Sequence, residues 1–251
     1  MLTRQNIDYK RNRIIRVIIT FNNGNISYGT GFFIDNHGLL LTCAHVVLGG
    51  DFSSVQQSRE FIDSQGSSNI EKALNYQRLL TRSIQVQIED GSLKNVVLEK
   101  INPDYDITSL RIQETNFSCL YFNINKTSEP YYGDEISFYG FPEVLGHTYL
   151  DSPFVVNRSI ISTFPEVTIG GGHYRHMQIN ATTIGGISGS PIFKGNNNTV
   201  IGLINGNYHW AFNNIVQRIQ NVDNVFSTRV PLGIGYGTSL RLLHENTNIF
   251  S

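Results

Sequence analysis

The most informative stretch of this 251-residue sequence is Gly185-Gly186-Ile187-Ser188-Gly189-Ser190-Pro191, which contains the candidate nucleophile Ser188. A serine hydroxyl is a poor nucleophile at neutral pH, and it attacks a carbonyl only when a nearby base takes its proton. Two earlier segments contain the partners that Ser188 needs. Thr42-Cys43-Ala44-His45-Val46-Val47 supplies a histidine as the base, and Tyr105-Asp106-Ile107-Thr108-Ser109-Leu110 supplies a carboxylate that can orient it.

Each of these three residues also has an ordinary structural interpretation when it is taken alone. His45 could be a core histidine, Asp106 a turn or capping aspartate, and Ser188 a loop serine among glycines. Their order along the chain, at strand ends and divided between the two halves, instead predicts acyl transfer by a Ser-His-Asp triad. Asp104 is a rival to Asp106 for the carboxylate.

Strand-forming segments dominate the sequence. Twelve segments rich in β-branched or aromatic residues are bounded by Gly, Asn, Asp or Pro. They are residues 13–21, 30–34, 39–43, 84–89, 96–101 and 107–112 in the first half, and residues 135–140, 154–162, 174–181, 190–193, 200–205 and 232–238 in the second. Six strands on each side are what two small antiparallel barrels require. We therefore predict an all-β fold with barrels at residues 10–118 and 133–251, a linker at residues 119–132, and an active site in the cleft between the barrels.

Three segments depart from the strand pattern. Residues 68–80 form a capped, helix-like run inside a long connection that follows the first histidine segment. Residues 211–226 place three aliphatic side chains on one helical face, and residues 239–244 predict a short helix near the C-terminus. We therefore expect two barrels with short helical insertions and a C-terminal helix.

Composition and charge exclude several classes of partner. The formal net charge of -1 gives no field that would gather nucleic acid or an anionic membrane. No run of about 18 apolar residues is present to span a bilayer. Arg16 interrupts the apolar part of residues 1–20, so this segment predicts a first strand and not a signal peptide. A secreted protein of this size usually carries several disulfides, so Cys43 and Cys119 predict reduced thiols and a cytoplasmic location.

Two further patterns resemble metal or cofactor sites. His173 and His176 are three residues apart, and this spacing sends side chains to opposite faces of a strand. Gly170-Gly171-Gly172 is not followed by the Gly-Lys-Ser/Thr of a phosphate-binding loop. We therefore expect no metal and no cofactor.

Five segments together resemble the trypsin-like serine peptidases, and in particular the bacterial branch that includes the high-temperature-requirement proteases and the glutamyl endopeptidases. They are residues 29–34 (GTGFFI), 41–46 (LTCAHV), 106–110 (DITSL), 133–142 (GDEISFYGFP) and 186–191 (GISGSP). The similarity extends from about residue 14 to residue 242. It implies a double barrel with His45 and Asp106 in the first barrel and Ser188 in the second.

The resemblance also implies an oxyanion hole formed by the N–H groups of Gly186 and Ser188. Thr182 stands where the trypsin subgroup has a carboxylate, which disfavours cleavage after Arg or Lys. Thr183 is similar to the pocket threonine of glutamyl endopeptidases, whereas Ile204 stands about where their pocket histidine would be. We expect an uncharged residue at the cleavage position, with an extended substrate pairing along residues 205–207. The predicted substrate-binding residues are Thr182, Thr183, Ile204, Asn205, Gly206 and Asn207.

Three functions are consistent with these features. The first is an active serine endopeptidase that cleaves proteins or peptides through an acyl-enzyme intermediate. The second is a catalytically idle peptidase fold that acts as a protein-binding module, although such a module does not need Ser, His and Asp together. The third is a gated peptidase that an activating protein partner switches on, suggested by the long segments 49–83 and 207–230.

Overall fold

A computed structural model describes residues 4–49, 81–124, 126–143, 153–169, 172–195, 197–219 and 222–250. These residues form three short helices and fourteen strands. The strands are β1 (Ile14–Phe21), β2 (Ile26–Phe33), β3 (Leu39–Thr42), β4 (Thr81–Gln87), β5 (Leu93–Asn102), β6 (Ile107–Ile112), β7 (Glu135–Gly140), β8 (Val155–Thr163), β9 (Glu166–Ile169), β10 (Gly172–Arg175), β11 (Met177–Ile179), β12 (Pro191–Lys194), β13 (Val200–Ile219) and β14 (Val222–Ser239). The helices are α1 (Arg4–Arg11), α2 (Ala44–Leu48) and α3 (Leu240–Asn246).

The first six strands close into an antiparallel barrel in the order β1-β2-β3-β6-β5-β4. Alternate residues of a small barrel point inward and fill it, and in β1 these are Ile15, Val17 and Ile19. All three are at most 1 % exposed.

The pairing of β3 with β6 positions the first half of the site. These strands are antiparallel, and Thr42 at the end of β3 lies opposite Thr108 near the start of β6. His45 follows the end of β3 and Asp106 precedes the start of β6. The two residues therefore meet at one rim of the first barrel.

The second barrel closes in the order β11-β14-β13-β12-β7-β8, and β9 and β10 form a separate two-stranded sheet. Its interior is apolar and includes Phe138, Ile192 and Ile201, each 0 % exposed. The loop before β12 is tied to β13, because Gly189 N donates to Ile204 O at 2.7 Å and Ile204 N donates to Ser190 O at 2.9 Å. These two bonds hold the Ser188 segment against the strand that carries residues 205–207.

The structure confirms the expected all-β architecture of two six-stranded antiparallel barrels, and α3 confirms the C-terminal helix. Ser239 caps α3, since its hydroxyl accepts a hydrogen bond from Leu242 N at 3.1 Å. The helix-like run at residues 68–80 lies outside the described residues. None of the helices in the described residues is long and apolar enough to cross a membrane.

The helix expected within residues 211–226 is wrong. The described residues of this segment belong to β13 and β14, which pair as a long antiparallel ribbon in which Phe212 lies opposite Thr228. Ile215 and Ile219 are four residues apart, a spacing that suits one face of a helix and also one face of a strand. The β-branched residues of the segment favour the strand.

Helix α1 was not predicted, because the N-terminal residues were assigned to a first strand. It carries Lys10 and Arg11 in its last turn, where cations are favoured by the helix dipole. The Lys10 side chain is 0 % exposed and lies 3.2 Å from the hydroxyl of Tyr139 in β7. A residue that precedes the first barrel is therefore buried against the second.

Candidate active site

His45 is the second residue of α2, one turn beyond the end of β3. Its Nδ1 lies 2.8 Å from Oδ2 and 3.0 Å from Oδ1 of Asp106. A carboxylate only accepts hydrogen bonds, so Nδ1 carries the proton and Nε2 is the basic nitrogen of the neutral ring. The backbone N–H of His45 also donates to Asp106 Oδ1, at 2.9 Å. One carboxylate thus fixes both the ring and the backbone of the histidine.

Asp106, and not Asp104, is the carboxylate that reaches His45. Asp106 has φ 51°, and among the described residues no other non-glycine residue has a positive φ. Aspartate tolerates this left-handed conformation better than most residues because its short polar side chain can bond locally. The turn aims the carboxylate back at the start of α2.

Asn205 joins the second barrel to this pair. It lies in β13, is 2 % exposed, and its Nδ2 donates to Asp106 Oδ2 at 2.9 Å. Its Oδ1 accepts a hydrogen bond of 2.8 Å from Thr238 Oγ1 in β14. The sequence predicts that the backbone of Asn205 pairs with an extended substrate, and the structure adds that its buried side chain holds the Asp106 carboxylate.

Asn205 links Ser188 to the pair formed by His45 and Asp106. In the described part of the chain, the hydroxyl of Ser188 donates to the backbone carbonyl of Asn205 at 3.1 Å, and not to His45. The same asparagine donates its side-chain amide to Asp106. The three residues singled out in the sequence are thereby connected within one cluster at the junction of the two barrels.

The backbone before Ser188 presents two N–H groups. Gly185 O accepts a hydrogen bond from Glu143 N at 2.6 Å, and in a trans peptide the following N–H points the opposite way. Gly186 has φ 83°, a conformation that favours glycine. Within the described ranges, neither Gly186 N nor Ser188 N has a hydrogen-bond acceptor. In this part of the structure, both N–H groups predicted as oxyanion donors are therefore unpaired.

Cys43 lies behind the histidine. Its sulfur, a ring nitrogen of His45 and a carboxylate oxygen of Asp106 lie within 4.8 Å of one another, a grouping that could hold a metal ion. The thiol donates instead to Ile204 O, at 3.2 Å. Burial, followed by the charge of Asp106, raises the pKa of Cys43 well above its ordinary value. A metal-binding thiolate would have to form against both effects, so the chemistry of this donor set favours a packed thiol.

The structure places the residues of the predicted substrate pocket in different environments. Ile204 is 0 % exposed and packs in the core of the second barrel, so its side chain does not line a cleft. Thr183 is 2 % exposed, and among the described residues its hydroxyl has no hydrogen-bond partner. Asn207 reaches across to this segment, where its Nδ2 donates to Thr183 O at 2.5 Å. Gly235 faces the same threonine, since an added Cβ would lie 2.9 Å from Thr183 Cγ2.

A second histidine, His176, lies next to β14 of the second barrel. The ring of His176 stacks on Tyr236 with 5.4 Å between centroids and 5° between planes. Burial lowers the pKa of His176, while the charge of Asp106 acts in the opposite direction. Tyr236 in turn lies beneath Gly206, where an added Cβ would be 3.2 Å from the tyrosine hydroxyl. Sequence analysis did not identify this stack, because it depends on the pairing of β11 with β14.

Comparison with known proteins identifies the family. The family model of the trypsin-like peptidase domain matches residues 29–203, which include His45, Asp106 and Ser188. The chain belongs to the trypsin-like peptidase family. This result confirms the trypsin-like serine peptidase family that the sequence led us to expect.

Curated relatives of this trypsin-like peptidase include the mitochondrial serine protease HTRA2 of Drosophila grimshawi, which is 26 % identical over 170 residues, and that of Drosophila ananassae, which is 25 % identical. Each alignment covers 66 % of this chain and 31 % of the relative. The chain therefore spans about a third of the length of the curated relatives it matches.

Solved structures support the fold. The HtrA-type protease AlgW with a tripeptide superposes with a TM-score of 0.61 at 18 % identity, covering 96 % of this chain and 60 % of the other. The AlgW S227A protein with a tripeptide gives a TM-score of 0.60 at 17 % identity and covers the same shares. At these identities the similarity shows the double-barrel fold alone.

Proposed function

We propose that this chain hydrolyses peptide bonds with Ser188 as nucleophile, His45 as general base and Asp106 as the residue that orients the base. The observation that carries this proposal is the pair of contacts, 2.8 and 3.0 Å, between His45 Nδ1 and the Asp106 carboxylate. These contacts leave Nε2 as the basic nitrogen. The Ser188 hydroxyl belongs to the same cluster through Asn205.

In the proposed reaction, the Ser188 hydroxyl turns from the Asn205 carbonyl toward His45 Nε2 and attacks the scissile carbonyl of the substrate. His45 takes the hydroxyl proton and delivers it to the leaving amine, which leaves an acyl-enzyme. Water then attacks the carbonyl of the acyl-enzyme ester while His45 takes its proton. His45 returns that proton to the Ser188 oxygen, and the carboxylic acid product leaves. Asp106 holds the ring in the useful tautomer and stabilises its charged form.

The N–H groups of Gly186 and Ser188 are proposed to bind the oxyanion of the tetrahedral intermediate. Support comes from the orientation of the peptide between Gly185 and Gly186, whose carbonyl bonds to Glu143 N on the opposite side. Loss of one such donor typically lowers the rate by about 100- to 1,000-fold.

The substrate is proposed to be a protein or peptide bound in extended form along residues 205–207. Thr182 and Thr183 offer hydroxyl groups and not charges at the predicted pocket, which supports an uncharged residue at the cleavage position. The Thr183 hydroxyl, which has no hydrogen-bond partner among the described residues, provides one buried polar group to contact that residue.

A gated form of the same enzyme is favoured by one observation. The Ser188 hydroxyl donates to Asn205 O and must break this bond before it can reach His45. An extended substrate that pairs with β13 would offer its own N–H to that carbonyl and so release the hydroxyl. An activating protein partner that inserts a strand at the same place would act in the same way.

The test is covalent labelling with a fluorophosphonate probe together with hydrolysis of casein. Ser188→Ala should abolish both, with hydrolysis falling on the order of a million-fold because the nucleophile is lost. Ser162→Ala is the matched control, since the Ser162 hydroxyl also donates to a backbone carbonyl at 3.1 Å but lies on the exposed surface of β8. Equal labelling of wild type and Ser188→Ala would refute the assignment.

The same assay separates the alternatives. A gated enzyme should label slowly alone and faster when casein peptides are present. A binding module should bind peptides without labelling or cleavage.

We also propose a cytoplasmic location, supported by the free thiols of Cys43 and Cys119. Fractionation of cells that express the protein would test it.

A further inference from the structure

Thr30 is a buried residue of the first barrel that contacts the nucleophile segment of the second. It lies in β2 and is 0 % exposed. Its backbone N–H donates to Ser188 O at 2.8 Å, and its hydroxyl donates to Gly186 O at 2.8 Å. Thr30 therefore binds the carbonyls of the same two residues whose N–H groups form the proposed oxyanion hole.

Two further bonds fix Thr30 itself. Its hydroxyl accepts a hydrogen bond of 3.0 Å from Phe141 N, which follows β7. Its carbonyl accepts one of 2.7 Å from Thr42 Oγ1 in β3. The hydroxyl thus donates on one side and accepts on the other, which a serine could reproduce and a valine could not.

Glycines allow this close approach. A Cβ added to Gly189 would lie 2.0 Å from Thr30 O, and one added to Gly140 would lie 2.7 Å from Thr30 Oγ1. Real Cβ atoms cannot be accommodated at such distances. The backbone around Ser188 therefore packs directly against Thr30, with no room for a side chain at Gly189 or Gly140.

We propose that Thr30 is a positioning residue for the oxyanion hole. By holding the carbonyls of Gly186 and Ser188, it restricts the backbone rotations that aim the N–H groups of these residues. Donors of this kind contribute most when they are already oriented toward the developing charge. The inference rests on the proposed function, because it assigns a role within the same site.

The first experiment compares Thr30→Val, which removes the hydroxyl, with Thr30→Ser, which keeps it. Thr30→Val should lower kcat by about 10- to 100-fold with little change in KM, because small misplacements of catalytic groups have effects of this size. Thr30→Ser should stay within about threefold of wild type by the same reasoning, since its hydroxyl makes both bonds. Ser137→Ala is the control, because the buried Ser137 hydroxyl donates to Gly195 O, outside the nucleophile segment.

Inhibitor binding gives a readout that a purely structural role would not change. A peptide boronate forms a tetrahedral adduct and should lose affinity for Thr30→Val by the same factor as kcat. A peptide that binds without forming an adduct should keep its affinity. Equal losses for the two ligands, or an unchanged kcat, would overturn the proposal.

Thr42→Val provides a second variant in case Thr30→Val does not fold. It removes the bond to Thr30 O and leaves every bond from Thr30 to the nucleophile segment in place. Its kcat should fall by a smaller factor, about three- to tenfold, with KM unchanged. An unchanged kcat would count against the role of Thr30.

Hydrogen exchange separates failure of this inference from failure of the proposed function. The amides of residues 185–189 should exchange faster in Thr30→Val than in Thr30→Ser or Ser137→Ala, whether or not the protein hydrolyses peptides. If wild type neither labels nor cleaves, the proposed function fails while faster exchange still supports the positioning role. If wild type is active and exchange is equal in all variants, the positioning role alone is wrong.

Discussion

The side-chain amide of Asn205 in the second barrel donates a 2.9 Å hydrogen bond to Oδ2 of Asp106 in the first. The two residues are 99 positions apart in sequence. Because Asp106 also bonds to the ring and the backbone of His45, docking of the barrels and orientation of the proposed base depend on the same carboxylate.

Replacing Asn205 with leucine should lower kcat by about 10-fold or more, since a hydrogen bond to a charged group contributes about 1.5–3 kcal/mol. Thr238→Val, which removes only the bond to Asn205 Oδ1, should have a smaller effect. Asn246→Leu is the control, because that amide also donates at 2.9 Å, to a carbonyl in α3. Steady-state kinetics on a peptide substrate checks the order of the three variants, and a kcat for Asn205→Leu equal to that of the control would contradict it.

Asp106→Asn should lower kcat by about 10,000-fold, because an amide stabilises the wrong histidine tautomer. Its amide replaces one of the two oxygens that accept hydrogen bonds from His45 and Asn205, so its stability should fall, although asparagine tolerates the φ of 51° without added strain. Asp106→Ala should in addition lower the free energy of unfolding by roughly 1–2 kcal/mol, because alanine is strained in this conformation. Urea denaturation beside kinetics separates the two effects, and equal stability of both variants would argue against strain at this position.

Gly189→Ala should be strongly destabilising. Gly189 has φ 87°, and an added Cβ would lie 2.0 Å from Thr30 O. Gly91→Ala is a matched control, since Gly91 has φ 83° but no atom within 4 Å of the added Cβ. The control should lose about 1–2 kcal/mol from backbone strain alone. A larger loss is expected for Gly189→Ala, and equal losses would show that the contact with Thr30 can relax.

Lys10 should make the free energy of unfolding depend on pH in the alkaline range. Its ammonium lies 4.6 Å from the ring centroid of Tyr139 and 4.4 Å from that of Phe193. Burial, together with the charge of Arg158, lowers the pKa of Lys10 from 10.5 to about 8. Between these two values the unfolded chain keeps a proton that the folded chain has lost, so raising the pH favours the folded state.

The free energy of unfolding of wild type relative to Lys10→Met should therefore be flat below pH 8 and should rise between about pH 8 and 10.5, by at most about 1.4 kcal/mol per pH unit. Chemical denaturation of both proteins across this range measures the difference, and groups common to both cancel. A difference that stays constant from pH 7 to 10.5 would mean that the pKa of Lys10 is not lowered by folding.

The local patterns that predicted the fold and the triad act over short distances. Segments rich in β-branched or aromatic residues and bounded by Gly, Asn, Asp or Pro were sufficient to predict two sets of six strands. Ile215 and Ile219 misled the prediction because their spacing fits a helix and a strand equally well. The structure settles the choice, because these residues pair across the β13–β14 ribbon, where Ile215 lies opposite Val225.

The sequence by itself determined the chemistry available to this protein: a serine among glycines, a histidine and an aspartate, each beside a predicted strand, and a family resemblance that links them. Only the tertiary structure decided that Asn205 holds the Asp106 carboxylate and that Thr30 contacts the nucleophile segment. The reason is physical. These contacts join backbone and side-chain atoms between barrels, and their distances depend on how the two closed sheets pack, which no local pattern specifies.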